Sequence, residues 1–185
     1  MIGEPALIWG HSIGACVALK LPADHGSLAS AIVVEDPPLQ SGIPNEDILD
    51  LFKFWLELGR SEMSEEAMVS EMVENLGPEE LEVYRYKAKT LRQMDLHLIE
   101  LAMDGNLWKR SDALGHISKI RCPAFLMQAD PDVGGLINED LSALSELQRE
   151  NWTWKKYKEI SHNMHSLFPE LIADDALRFF SSLVK

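Results

Sequence analysis

Apolar and polar positions along the chain fall into two regimes. Near both ends, short continuous apolar runs alternate with helical patterns, and between them lies a long stretch with helical periodicity alone. Ala6 to Trp9, set between Pro5 and Gly10, reads as a strand buried on both faces. Ile13 to Leu21 reads as a helix, with small residues where it must lie close to a sheet. Pro22 is expected to end or kink that helix, because it lacks a donor and crowds the carbonyl of Ala18. Ala31 to Val34 is a second β-branched run, stopped by Asp36-Pro37-Pro38. Pro123 to Gln128 is a third strand, leading into Ala129-Asp130-Pro131-Asp132-Val133-Gly134-Gly135. Asn138 to about Arg149 has the pattern of an amphipathic helix, Trp152 to Ile160 of a fourth strand, and Pro169 to Val184 of a final helix.

From Asn45 to about Leu114 the pattern is helix after helix. Asn45 can cap the first, which ends near Gly59 and carries Ile48, Leu51, Phe52, Trp55 and Leu58 along one stripe. Ser64 can cap the next, which closes at Gly77 with Met68, Met72, Val73 and Leu76 inward. Pro78 suits the first position of a third, followed by glutamates that favour a helix N-terminus. Leu96 to Met103 continues in helix until Gly105. Strands alternating with helices imply a parallel sheet with helices on its faces. The expected class is therefore α/β, a parallel sheet of about four strands. Residues 1–38 and 116–185 form its core, and 39–115 are an inserted helical cap, too long for a crossover.

Composition narrows the function. The 185 residues are enough for about one domain with a real core. A net charge of −13 argues against a nucleic-acid partner, which would want a basic face. No stretch approaches the roughly 20 apolar residues of a membrane span. No signal peptide is visible either, so the expected location is cytoplasmic. Cys16 and Cys122 are expected to be two free thiols. No Cys/His group has zinc spacing, and His162-x-x-His165 lacks the glutamate and third ligand of a zinc-protease helix. Neither a metal nor a cofactor is expected.

The candidate chemistry lies at Gly10-His11-Ser12-Ile13-Gly14, a Gly-x-Ser-x-Gly turn between strand and helix. Such a turn holds its serine in a strained conformation, so the flanking residues must be very small. It lifts the Ser12 hydroxyl clear of the sheet, near the positive end of the helix, and aims the N–H of Ile13 at a developing oxyanion. A serine nucleophile needs an imidazole. His162 follows the last strand and would share the C-terminal sheet edge with Ser12, with His165 as runner-up in the same loop. His11 reads as a packing residue whose side chain points away from that of Ser12. The acid should follow a strand between nucleophile and base. Asp132 is the first choice, with Asp36 and Asp130 as alternatives.

Three segments carry a family resemblance: "LIWGHSIGACVAL", "CPAFLMQADPDVGGL" and "ISHNMHSLFPELIADDALRFFSSL". They resemble the nucleophile, acid and histidine segments of an α/β-hydrolase of the capped, esterase-like kind, and the chain resembles the C-terminal two-thirds of such a protein. The family's Gly-x-x-Asp carries over to Ala129-x-x-Asp132, and its Gly-His to Ser161-His162. The resemblance implies a Ser12-Asp132-His162 hydrolase acting on an ester or similar acyl bond of a small apolar substrate. Phe52, Trp55, Met68, Met72 and Trp108 would wall the acyl pocket, unless they are plain core. It also implies four strands and a His-Gly oxyanion loop before the elbow strand. Without them that strand is a bare sheet edge, through which the chain could pair with a second copy of itself. The alternative expectation is a catalytically silent homologue that serves as a binding or dimerising module.

Overall fold

In the computed structural model, residues 4–39, 46–77, 81–107, 112–137, 141 and 145–183 are described. They form two compact units, 1–41 with 111–185, and 42–110.

The first unit is built on the apolar runs. β1 (Ala6–His11), β2 (Ala29–Glu35), β3 (Ala124–Gln128) and β4 (Trp152–Lys156) make one parallel sheet in the order β1-β2-β3-β4. β2 and β3 are buried almost throughout, which explains why they read as unbroken apolar runs rather than alternating ones. One face is packed by α1 (Ile13–Asp24) and α6 (Ala113–Lys119), where Leu19 and Ile117 meet Ile32, Val34 and Leu126. On the other face, Ile172 and Ala176 of α8 (Pro169–Ser182) pack with Val33, Phe125 and Met127. Each fully buried Ile or Leu in these layers stabilises by about 1.5–3 kcal/mol. The two edge strands among those described, β1 and β4, are more exposed. On β1, Leu7 and Trp9 on its α8 side are 53% and 39% exposed.

Three sequence expectations shift here. α1 runs through Pro22 to Asp24. Pro22 lies in the last turn, where the helix continues past it by only two residues with the Ala18 carbonyl left without its helical donor, and its ring is buried. β4 ends at Lys156 rather than Ile160, because the chain turns at Glu159, which has φ 60°. Of the helix expected over 138–149, residues 138–140 and 142–144 lie outside the described set, and Ser145–Gln148 is a short 3-10 turn.

The second unit contains α2 (Glu46–Arg60), α3 (Glu65–Leu76), α4 (Leu81–Gln93) and α5 (His97–Met103). Ser64 caps α3 by accepting from the Ala67 N–H, and Gly77 closes it at φ 90°. Asn45, Pro78 and Trp108 lie outside the described residues. Met68 and Met72 are fully buried among Leu58, Tyr84, Ala88 and Leu91, so they form this unit's own core rather than a pocket wall. Leu76, read as inward, is 40% exposed.

Candidate active site

At the C-terminal end of β1 the backbone turns sharply into α1. Ser12 takes φ 55° and ψ −122°, outside the ordinary regions for a residue with a side chain. Its N–H donates to the Glu35 carbonyl, which fixes the turn against β2. The smallness of Gly10 has a direct cause: a Cβ there would lie 2.2 Å from the Gly14 carbonyl oxygen. Nothing lies within 4 Å of a Cβ on Gly14, so that glycine has no steric reason among the described residues. Ile13 is the first residue of α1, so its N–H is one of those without an intrahelical acceptor.

The sheet register decides what stands beside the elbow. His11 pairs with Glu35 and Trp9 with Val33 across β1 and β2, so Trp9, His11 and Glu35 share a face. Trp9 Nε1 donates to Glu35 Oε2 over 3.1 Å. One residue further, Asp36 leaves the strand at φ 40°, with its N–H on the Met127 carbonyl. Its side chain is fully buried and accepts three hydrogen bonds. These come from the N–H of Ala129 at 3.2 Å, the N–H of Leu136 at 2.9 Å, and His162 Nδ1 at 2.7 Å. A buried carboxylate without such partners would cost several kcal/mol.

The acid assignment therefore changes. His162 meets Asp36, at the end of β2, and not Asp132. Asp132 is exposed in the 3-10 turn Pro131–Val133, and its N–H donates to Asp130. Asp130 is occupied with backbone: Oδ1 accepts the Asp132 N–H and Oδ2 the Glu159 N–H. Those bonds, Glu159's first, hold its carboxyl below the usual carboxylate range. Asp130 thus ties the end of β3 to the turn that leads into His162.

Because a carboxylate can only accept, His162 Nδ1 is the donor in this bond, which leaves Nε2 as the ring nitrogen not engaged by Asp36. His165, the runner-up base, pairs instead with Glu35: its N–H and Nδ1 both donate to Oε1, at 3.0 and 2.8 Å. His11 is not a bystander. Its Nε2–H donates to the His162 carbonyl over 3.0 Å, and its ring centroid lies 4.5 Å from that of His162 and 4.7 Å from that of His165. Burial, the largest cause, lowers the His11 pKa to about 4, so this ring is neutral at pH 7. In the sequence, the roles of Glu35 and His11 had one available signal, two adjacent acids closing an apolar strand opposite the elbow.

His11, Glu35 and His165 are also the one group among the described residues whose donor atoms all lie within 4.8 Å of one another, the spacing of a three-ligand metal site. His11 Nε2, His165 Nδ1 and both Glu35 oxygens are already engaged in the hydrogen bonds just described.

No protein-family model and no curated protein matches the sequence. Solved structures do. N-formylmaleamic acid deformylase from Pseudomonas putida S16 is 16% identical with a TM-score of 0.71, over 92% of this chain and 66% of that one. E-2-(acetamidomethylene)succinate hydrolase is 14% identical, also at 0.71, over 97% of this chain and 68% of that one. An esterase from Exiguobacterium antarcticum is 12% identical at 0.64, over 95% and 66%. The chain has the α/β-hydrolase fold, and it spans about two thirds of the length of these structures. No helix among the described residues is long and apolar enough to cross a membrane.

Proposed function

We propose that this chain is a serine hydrolase of the esterase-like kind, with Ser12 as nucleophile, His162 as base and Asp36 as the acid that orients it. The observation that carries this reading is the 2.7 Å bond from His162 Nδ1 to buried Asp36, beside a serine at positive φ between strand and helix. In the reaction, His162 Nε2 takes the proton of Ser12 Oγ as the oxygen attacks the acyl carbon. The N–H of Ile13 stabilises the oxyanion, and His162 returns the proton to the departing alcohol or amine. Water, deprotonated by the same imidazole, then releases the acid from the acyl-enzyme. The names of similar structures, a deformylase, a hydrolase and an esterase, support acyl C–O or C–N bonds of a small substrate. Labelling by a fluorophosphonate at Ser12, abolished in Ser12→Ala, is the expected result. Folded protein that takes no label overturns the reading.

A second reading, a catalytically silent chain that pairs with its own copy through β1, is favoured by exposed Leu7 and Trp9 on that edge strand. It predicts a dimer in solution and no turnover of p-nitrophenyl acetate.

A further inference from the structure

His162 sits in a segment without regular structure, Ile160 to Asn163, between β4 and the short helix α7 (Met164–Leu167). A base on such a segment needs external restraint, since a misplacement of about 1 Å can cost about 10²-fold in rate. Asp36 restrains the imidazole ring, but nothing in that one bond fixes the peptide that carries it.

Two other groups do. His11 Nε2–H holds the carbonyl of His162 itself. Three residues on, Glu35 Oε1 holds both the backbone N–H and the Nδ1 of His165, while Oε2 is occupied by the Trp9 indole. Glu35 and Asp36 are consecutive, so the end of one strand grips His162 in this segment and His165 in α7. Both carboxylates are fully buried.

We propose that His11 and the Glu35–His165 pair form a clamp that positions His162, making all three positioning residues for the hydrolysis; this rests on the hydrolase reading above. The ionisation of the cluster suits that role. Burial pushes the Glu35 carboxyl up, but the hydrogen bonds and charge of His165 outweigh it and hold it below its usual range. Neutral His11 can donate from Nε2 without setting a second positive charge against His162.

Glu35→Gln, His11→Phe and His11→Gln test the clamp. Gln at 35 keeps one acceptor oxygen and sets an amide NH2 against either Trp9 Nε1–H or the donors of His165. Phe at 11 keeps a ring and loses the donor, whereas Gln places an N–H close to where Nε2 stands. Turnover of p-nitrophenyl acetate, normalised to sites titrated by fluorophosphonate, should fall about 10- to 100-fold in kcat for Glu35→Gln and His11→Phe, with KM unchanged. His11→Gln should recover to within about threefold of wild type. Amide exchange at His165 should be protected in the wild type and faster in Glu35→Leu, which has no acceptor for its N–H. Active wild type with unchanged kcat per site in Glu35→Gln and His11→Phe overturns the clamp and leaves the hydrolase reading standing. Wild type that takes no label overturns the hydrolase reading instead. In that case the exchange result alone decides whether Glu35 holds the loop, and equal protection in both proteins overturns that.

Discussion

The ends of β2 and β3 look alike in sequence and do different work. Each strand is a buried apolar run that closes on a pair of carboxylates, Glu35-Asp36 after one and Asp130-x-Asp132 after the other. At β2 both side chains are fully buried, and each binds a histidine from beyond β4, His162 for Asp36 and His165 for Glu35. At β3, Asp130 binds backbone and Asp132 is exposed. The difference teaches what an orienting acid requires. It must be desolvated enough that an imidazole N–H is a needed partner, and its other lone pairs must be met by backbone donors. Asp36 has both, with Ala129 and Leu136 supplying the donors from the β3 side.

The largest expected effect separates the two ends outright. Asp36→Asn should lower kcat per titrated site by about 10³- to 10⁴-fold, because the amide no longer fixes the imidazole tautomer. Asp132→Asn, at an exposed position, should leave kcat within about twofold. The reverse pattern would return the acid to β3.

A smaller effect tests whether the β3 turn serves the β2 carboxylate. A Cβ on Gly135 would lie 2.8 Å from the Ala129 carbonyl carbon and oxygen. Gly135→Ala should therefore displace the backbone beside Leu136, whose N–H holds Asp36. Chemical denaturation should register a loss of about 1–3 kcal/mol, and kcat should drop with it. A stability loss with no change in kcat would separate the two strand ends.

The smallest effect concerns pH. The folded-state carboxyl of Asp130 sits below its ordinary value of 3.8. Its stabilisation is therefore fully present above that value and is lost as pH falls through the lower folded one. Asp130→Asn should lower Tm at pH 7 by a few degrees, about the loss of one cap. It should also flatten the decline of Tm below about pH 4. An unchanged acid limb would mean that Asp130 does not tie the loop.

Much of this was legible in the sequence. The strands came from continuous apolar runs, the elbow from Gly10-His11-Ser12-Ile13-Gly14, and the position of His162 from its place after the last strand. The carboxylate that meets His162 was legible only as an alternative, for a physical reason. Asp36 sits beside two prolines and reads as a turn residue, and only three-dimensional register brings the Ala129 and Leu136 amides and His162 around it. The contact of His11 was not legible because its partner is a backbone carbonyl far along the chain, which no local pattern encodes. The helical unit was legible as helices, but whether Met68 and Met72 line a pocket or fill a core depends on packing that periodicity does not report.

One measurement bears most directly on the claim that β2 supplies the acid. The His162 Nδ1 proton, held between imidazole and buried carboxylate, should give a far-downfield proton resonance in the wild type. Asp36→Asn should abolish it, and Asp132→Asn should leave it in place. A resonance that survives Asp36→Asn and disappears in Asp132→Asn would contradict the account.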